Sequence, residues 1–317
     1  MKWDLIGGGA LGLMFTARLL RNGEQIRLWT RTSEQAEELR QKGLFLIDRK
    51  GVQQHYSNIH AYALHEVEHV LKRSDEPIKR LGLFIKQTSF TDAFMKQLAA
   101  LPVEKVSSVL CFQNGIGHDE RLKQLFSENV LAMAVTTEAA KRTSSHEVTH
   151  TGEGETWLGN PIDPNDHEVR EWCNLFKQAG FQAFVSNNIE DNIYRKLIIN
   201  AVINPLTALL RLRNGELLRS EKRLQLMREV FEEVIAIYRL QGIPVHADEA
   251  WDNLIRVCSA TASNTSSMLA DVLAERTTEI DAITGQLLRI ADTHDYNSPA
   301  QTYLYRSIQA LDPAFLS

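Results

Sequence analysis

This 317-residue sequence has few cysteines, little excess of either charge sign and few long uninterrupted apolar runs. The three cysteines lie far apart, with neither a CxxC pair nor neighbouring histidines, which argues against a disulfide framework and against a zinc site. We therefore predict no metal centre and a reducing, cytoplasmic setting. The most apolar long stretch, residues 197–210, contains two asparagines and a proline, and the N-terminus shows no apolar signal segment, so no membrane association is expected.

The charge balance and the length of the chain bear on its partners and on its number of domains. Charged residues make up 24% of the chain, with a formal net charge of -5. Such a balance gives no reason to expect nucleic acid or an anionic membrane surface as a partner. With 44% hydrophobic residues in 317, the chain is long enough for two separate cores. A two-domain protein is the resulting expectation.

A glycine-rich turn follows the first predicted strand, residues 3–6, and leads into an amphipathic helix that extends to about residue 21. It fits the dinucleotide fingerprint G-x-G-x-x-G in the strand-turn-helix context that this fingerprint requires. We predict that it binds cofactor phosphates at the positive end of the helix, the alternative being a turn that only packs. The turn comprises Gly7, Gly8, Gly9, Ala10, Leu11 and Gly12.

The end of the second predicted strand, residues 25–30, favours NADP over NAD. NAD-preferring proteins usually carry an acidic residue about 20 residues after the fingerprint, whereas Arg31 stands here among hydroxyl side chains. A guanidinium suits a 2'-phosphate because its planar fork makes bidentate, charge-assisted hydrogen bonds. A solvent-facing arginine at a strand end is the alternative. We expect NADPH as the cofactor.

Strands and helices alternate as far as about residue 186, which predicts a parallel, doubly wound sheet of the Rossmann type. Residues 40–56 are predicted to form an antiparallel hairpin that decorates this sheet. Lys86 and Asn114 follow predicted strands, at the edge that binds ligands in such folds. The further predicted strands are 81–85, 107–112, 130–136, 146–152, 155–159 and 182–185.

Only helices are predicted after residue 187. The fold class is therefore α/β, with an N-terminal Rossmann-type domain at 1–186, a C-terminal all-α domain at 187–317, and an active site expected in the cleft between them. Oligomeric state cannot be read from the sequence, although the apolar stretch 203–212 could carry a homodimer contact. The predicted helices are 188–210, 216–241, 247–257, a short one after residue 266, and 278–292.

Three polar residues recur at helical spacing within residues 194–207. Lys196, Asn200 and Asn204 stand at i, i+4 and i+8, so a helix would carry them on one face. One ammonium and two amides offer donors to a small compound with a carbonyl and a carboxylate, whereas the alternative is a core helix whose amides satisfy neighbouring loops. Pro205 is expected to kink or end this helix.

Taken together, these motifs resemble the 2-dehydropantoate 2-reductase family, also called ketopantoate reductase, and the match extends from residue 1 to about residue 300. Glu279 belongs to it, although acids in a first helical turn also serve the helix dipole. The motifs are the glycine-rich turn, Asn114-Gly115, Arg195-Lys196-Leu197 to Asn200, Asn204-Pro205-Leu206-Thr207, Asn214-Gly215-Glu216-Leu217, Ser266-Ser267-Met268-Leu269 with Asp271, and Thr278-Glu279-Ile280-Asp281.

The resemblance implies NADPH-dependent reduction of 2-dehydropantoate to (R)-pantoate, a step of pantothenate and coenzyme A biosynthesis. Lys196 would be the proton donor, and Glu279 would lie near the substrate hydroxyl and the cofactor. The implied substrate contacts are Asn114, Asn200, Asn204, Asn214 and Ser267. The implied cofactor contacts beyond the glycine-rich turn are Arg31, Lys86, Asn114, Ala140 and Glu279.

The chemistry of a 2-keto acid agrees with this assignment. Hydride addition builds negative charge on the keto oxygen, which a nearby ammonium such as that of Lys196 can stabilise and then protonate. Two other functions stay open. One is reduction of a different 2-keto or β-hydroxy acid on the same scaffold. The other is a non-catalytic nucleotide-binding protein, for which loss of Lys196 or Glu279 would be expected.

Overall fold

A computed structural model describes residues 2–73, 77–117 and 119–315. The chain divides into two compact units, Met1–Gln113 with His118–Asn192, and Asn114–Gly117 with Ile193–Ser317. The strands of the described chain, β1 to β12 in order, are Lys2–Ile6, Gln25–Thr30, Leu44–Ile47, Gln53–Tyr56, His60–Ala63, Arg80–Leu83, Ser108–Cys111, Leu131–Thr136, Ala139–Arg142, Glu147–Gly152, Glu155–Gly159 and Gln182–Val185. The helices, α1 to α12 in order, are Ala10–Arg21, Ser33–Lys42, Val67–Arg73, Asp92–Ala99, Asp119–Leu122, His167–Gln178, Ile189–Leu210, Glu221–Leu240, Ala247–Ala260, Ser267–Leu273, Gln286–Thr293 and Pro299–Gln309.

The first unit is built on an eight-stranded sheet in the order β12-β11-β8-β7-β6-β1-β2-β5. Its strands pair in parallel except for β8 with β11, which are antiparallel. Strands β6 and β7 are buried along their whole length, as expected of central strands in a sheet covered on both faces. The predicted α/β class, with a Rossmann-type sheet followed by a helical region, is confirmed.

A second, four-stranded sheet in the order β4-β3-β10-β9 corrects the predicted hairpin. Strands β3 and β4 do pair antiparallel, but they belong to this small sheet rather than to the main one. The hairpin also begins later than residue 40, because helix α2 continues to Lys42. Helix α2 was not predicted, since only Ala36 and Leu39 are buried and its apolar periodicity is therefore weak.

Aromatic packing fixes helix α1 on the main sheet. The ring of Phe15 lies 4.1 Å from that of Phe181, 5.0 Å from Phe84, and 5.1 Å from both Phe112 and Phe176. Contacts of this kind contribute about 0.5–1.5 kcal/mol each beyond the area they bury. The N-terminus of α1, and the glycine-rich turn that leads into it, are thereby held in one place.

The second unit has helix α7 at its core, which confirms the helix predicted over residues 188–210. Pro205 lies inside α7 and does not end it, so of the two effects expected of the proline, a kink or an end, the end is wrong. Leu206 and Ala208 are fully buried beyond it, so their packing outweighs the one backbone donor that proline lacks. Most of the stretch 203–212 is therefore internal, and Leu210, 40% exposed, is its most accessible apolar residue among those described.

Two further helices differ from prediction. The predicted helix 216–241 is divided into a 3-10 turn, Asn214–Arg219, and α8, and the predicted helix 278–292 begins with a π-helical turn, Asp281–Gly285. Helix α12 was missed, although Pro299 at its first turn is a typical start signal. Among the described residues α7 alone is long and apolar enough to cross a membrane, and 56% of its apolar window is buried inside the protein, as in a core helix.

Candidate active site

The glycine-rich turn leaves open space at one position and none at another. A Cβ atom at Gly12 would lie 1.9 Å from the carbonyl oxygen of Gly7, so only glycine fits there. A Cβ atom at Gly9 would have no neighbour nearer than 4.0 Å. Gly9 is also the N-cap of α1, without a side-chain cap and without an acidic residue in the first turn. The first backbone N-H groups of α1 thus have no side-chain cap, and the N-terminus of this helix suits an anionic pyrophosphate.

Two side chains hold this turn from outside, and the sequence did not reveal either. Gln35 Nε2 donates to the carbonyl oxygens of Gly8 at 2.8 Å and of Ser145 at 2.9 Å. Arg142 Nη1 donates to the same Gly8 oxygen at 2.9 Å. Arg142 lies on β9 two residues after Ala140, which is partly buried against the core of the first unit. The candidate cofactor residue Ala140 therefore lies on the strand that supports the turn.

The remaining candidate cofactor residues follow the carboxyl ends of strands. Arg31 comes directly after β2 and is exposed, and within the described residues no ion pair holds its guanidinium. Beside it the Ser33 hydroxyl lies 3.4 Å from Nε2 of His65. Lys86 is half-buried at the start of a 3-10 turn, Gln87–Ser89, just beyond β6. Arg31 is thus available to an anionic ligand.

Helix α7 carries the predicted polar face. It is continuous from Ile189 to Leu210, so Lys196, Asn200 and Asn204 lie on successive turns of one face. Asn204 is only 7% exposed, yet its amide forms no hydrogen bond with any described part of the protein, and the amide of half-buried Asn200 forms none either. Neither amide therefore satisfies a neighbouring loop within the described residues.

Lys196 and Glu279 interact electrostatically. Burial lowers the pKa of the Lys196 ammonium from 10.5 to about 8, and the negative charge of Glu279 opposes this shift. Glu279 is itself buried, and its carboxylate accepts a hydrogen bond from Asn114 Nδ2 at 3.1 Å. The structure therefore brings together three of the predicted residues, a cation, an anion and an amide, within the second unit.

The turn Asn114–Gly117 sits closely on the segment that follows Glu279. Gly115 has a φ of +80°, and a Cβ atom there would lie 2.2 Å from the carbonyl oxygen of Ala282. Only glycine allows this approach. The turn that this glycine makes possible also directs the amide of Asn114 at Glu279.

Two other predicted residues have different surroundings. Asn214 is buried, and its Nδ2 donates to the hydroxyl of Thr261 at 2.9 Å, while its Oδ1 has no partner. Ser267 is exposed as the first residue of α10. Its neighbour Ser266 is the N-cap of α10 and also accepts a hydrogen bond from Thr207 Oγ1 at 2.7 Å. That bond ties α10 to α7.

Comparison of the sequence with known proteins shows which family the chain resembles. A family model described as ketopantoate reductase PanE/ApbA matches residues 3–162, and the model of its C-terminal part matches residues 188–312. A 2-dehydropantoate 2-reductase of Listeria innocua is 32% identical over 308 residues, covering 97% of this chain and 96% of that protein.

Comparison with solved structures agrees with this family assignment. The crystal structure of a probable 2-dehydropantoate 2-reductase from Bacillus subtilis is 30% identical, has a TM-score of 0.81, and covers 98% of this chain and 100% of that one. A D-mandelate dehydrogenase solved with NADH and anilino(oxo)acetate has a TM-score of 0.90 and covers 99% of each chain, but at 22% identity this likeness shows the fold alone. By sequence over nearly its whole length, and by fold, the chain belongs to the ketopantoate reductase family.

Proposed function

We propose that this protein reduces 2-dehydropantoate to (R)-pantoate with NADPH, in the cytoplasm, as a step toward pantothenate and coenzyme A. Membership of the ketopantoate reductase family supports the reaction. The observation that carries the mechanism is the ammonium of half-buried Lys196, whose charge interacts with the buried carboxylate of Glu279.

NADPH, when bound, supplies the hydride. The residues of this chain fit such a cofactor, since open space adjoins Gly9 at the N-terminus of α1 and the guanidinium of Arg31 is exposed after β2. The turn would hold the pyrophosphate and Arg31 the 2'-phosphate. Further proposed cofactor contacts are Lys86, Asn114, Ala140 and Glu279.

Lys196 provides the acid. With a pKa of about 8 it is mostly protonated at neutral pH, yet it releases its proton more readily than an exposed lysine does. Its ammonium stabilises negative charge on the keto oxygen and then protonates that oxygen. Glu279 keeps the ammonium charged and accepts a hydrogen bond from the substrate hydroxyl, while the Asn114 amide holds the Glu279 carboxylate.

The neutral donors of the second unit bind the substrate. The amides of Asn200 and Asn204 lie on the same face of α7 as Lys196 and have no protein partner in the described residues, so a ligand carboxylate or hydroxyl can pair with them. We assign a donor role also to the exposed hydroxyl of Ser267, whereas the buried, unpaired Oδ1 of Asn214 would accept a hydrogen bond from a substrate hydroxyl. Uncharged donors leave Lys196 as the cation at the keto group.

The cofactor assignment is tested with Arg31→Ala. A charge-assisted bond to the 2'-phosphate contributes about 1.5–3 kcal/mol, so the variant should bind NADPH roughly ten- to a hundredfold more weakly and bind NADH unchanged. Fluorescence titration with both nucleotides measures this difference. An unaltered preference between the two would refute the role of Arg31.

The mechanism is tested with Lys196→Ala. Loss of a general acid typically costs about 10²–10⁴ in rate, so kcat should fall by that factor while the affinity for NADPH stays the same. Arg195→Ala is the matched control, because Arg195 is an exposed cation one residue away on the same helix. Full activity in Lys196→Ala, or equal losses in both variants, would contradict the proton-donor role.

A further inference from the structure

A carboxylate with no exposed surface anchors the segment that carries Glu279. Asp312 is 0% exposed, and its Oδ2 accepts hydrogen bonds from the backbone nitrogen and from the hydroxyl of Thr278, both at 2.7 Å. Its Oδ1 accepts from the backbone nitrogen of Ala314 at 2.9 Å. No cation pairs with Asp312 in the described part of the chain. Three bonds from neutral donors therefore offset the burial of this charge.

Thr278 directly precedes Glu279, so these bonds act on the backbone of the acidic residue. On the other side the carbonyl oxygen of Glu279 accepts from Ile283 N at 3.1 Å, and a π-helical turn, Asp281–Gly285, follows. π-Helical turns are uncommon and are often found at functional sites. Glu279 thus lies between Thr278, which Asp312 anchors, and a turn of rare geometry.

We propose that Asp312 is a positioning residue of the reaction, which holds Thr278 and thereby fixes the backbone from which Glu279 reaches Lys196. Because Asp312 is fully buried, it acts through Glu279 and not on a ligand. The proposal rests on the function proposed above only in taking Lys196 as the proton donor.

A positioning role differs measurably from a merely structural one. Glu279 is the charged group that raises the pKa of Lys196 against the effect of burial. If the Thr278 anchor loosens, Glu279 moves away on average and the Lys196 pKa falls below about 8. A residue that only stabilises the fold would change the melting temperature and leave that pKa alone.

Two substitutions of Thr278 test the positioning role most directly, because neither of them changes a charge. Thr278→Val removes the hydroxyl that donates to Asp312 and keeps the shape, whereas Thr278→Ser keeps the hydroxyl. Asp312→Ala removes the acceptor itself. Glu233→Gln is the matched control, because Glu233 accepts from the backbone nitrogens of Ala300 and Gln301 at the start of α12, away from Thr278 in sequence.

The measurement is an NMR titration of the Lys196 ε-carbon in the full-length protein made with 13C-lysine, assigned with Lys196→Met, beside thermal unfolding of each variant. We expect Thr278→Val and Asp312→Ala to lower the Lys196 pKa by about one unit. Thr278→Ser and Glu233→Gln should leave it in place, even where Glu233→Gln melts earlier. The alkaline limb of kcat/KM, which reports the pKa of the free enzyme, should move with the titration.

An unchanged Lys196 pKa in folded Thr278→Val would overturn the proposal, and the Thr278 pair decides the matter by itself where Asp312→Ala does not fold. The titration needs no turnover. A wild-type protein that fails to reduce 2-dehydropantoate would therefore count against the proposed function, whereas an unmoved titration counts against the positioning role of Asp312.

Discussion

Glu279→Gln separates the charge of Glu279 from its shape. The amide of glutamine can still accept the hydrogen bond from Asn114 Nδ2, which is 3.1 Å long in the wild type, but it carries no charge. Lys196 would then keep the full effect of burial and lose the neighbour that opposes it. The pKa of Lys196 should consequently fall below about 8.

The size of the fall follows from the interaction of opposite charges. A carboxylate close to an ammonium shifts its pKa by about one to three units, and each unit corresponds to about 1.4 kcal/mol. A fall of one unit, from about 8 to about 7, lowers the protonated fraction at pH 7.5 from about three quarters to about one quarter. Activity that depends on the ammonium should decline in the same proportion near neutrality, and further above it.

The assay is the pH dependence of kcat/KM from pH 5.5 to 9.5, followed through NADPH oxidation. Wild type should lose activity above about pH 8, because the acid must be protonated, and the variant should lose it at least about one unit lower. At pH 6, where Lys196 is protonated in both proteins, the gap between the two rates should be smallest. An alkaline limb at the same pH in both proteins would refute the coupling between Glu279 and Lys196.

Three other predictions concern binding and stability. Gly9→Ala should keep the wild-type melting temperature but bind NADPH about tenfold or more weakly, which nucleotide titration measures. Gly12→Ala should melt several degrees earlier, because its Cβ atom would lie 1.9 Å from the carbonyl oxygen of Gly7, and calorimetry measures this. Asn204→Leu removes a buried, unpaired amide, so stability should hold or rise while KM for the keto acid increases about tenfold or more. The pKa of Lys196 is lowered on folding from 10.5 to about 8, so wild-type stability rises with pH across that window. Lys196→Met should be more stable than wild type by about 3 kcal/mol at pH 7, a gap that narrows to about 1 kcal/mol by about pH 10; urea unfolding at both pH values checks this.

Elements with strong local signals were predictable from the sequence. The predicted strands 25–30, 155–159 and 182–185 coincide with β2, β11 and β12, because each is a short apolar or β-branched run bounded by charged or turn residues. The polar face of α7 followed from residue spacing alone. The predicted helix 188–210 already extended past Pro205, and the burial of Leu206 supplies the tertiary packing that outweighs this local breaker.

Contacts between distant positions could not be predicted. Arg142 reaches the Gly8 oxygen from a short strand whose sequence, Ala-Ala-Lys-Arg, has no apolar alternation. Asp312 lies 34 positions after Thr278 and outside every motif. Such side chains act through partners that only the folded chain brings near, so their residue types carry no signal. The roles of Asn214 and Ser267 in binding stay predictions.

The central claim is tested most directly by measuring kcat/KM with NADPH for 2-dehydropantoate beside pyruvate, branched 2-keto acids and phenylglyoxylate, in wild type and in Lys196→Ala. We expect 2-dehydropantoate to be preferred by about a hundredfold or more, with the activity lost in the variant. A different keto acid reduced faster would contradict the assigned substrate. Undiminished turnover in the variant would contradict Lys196 as the acid.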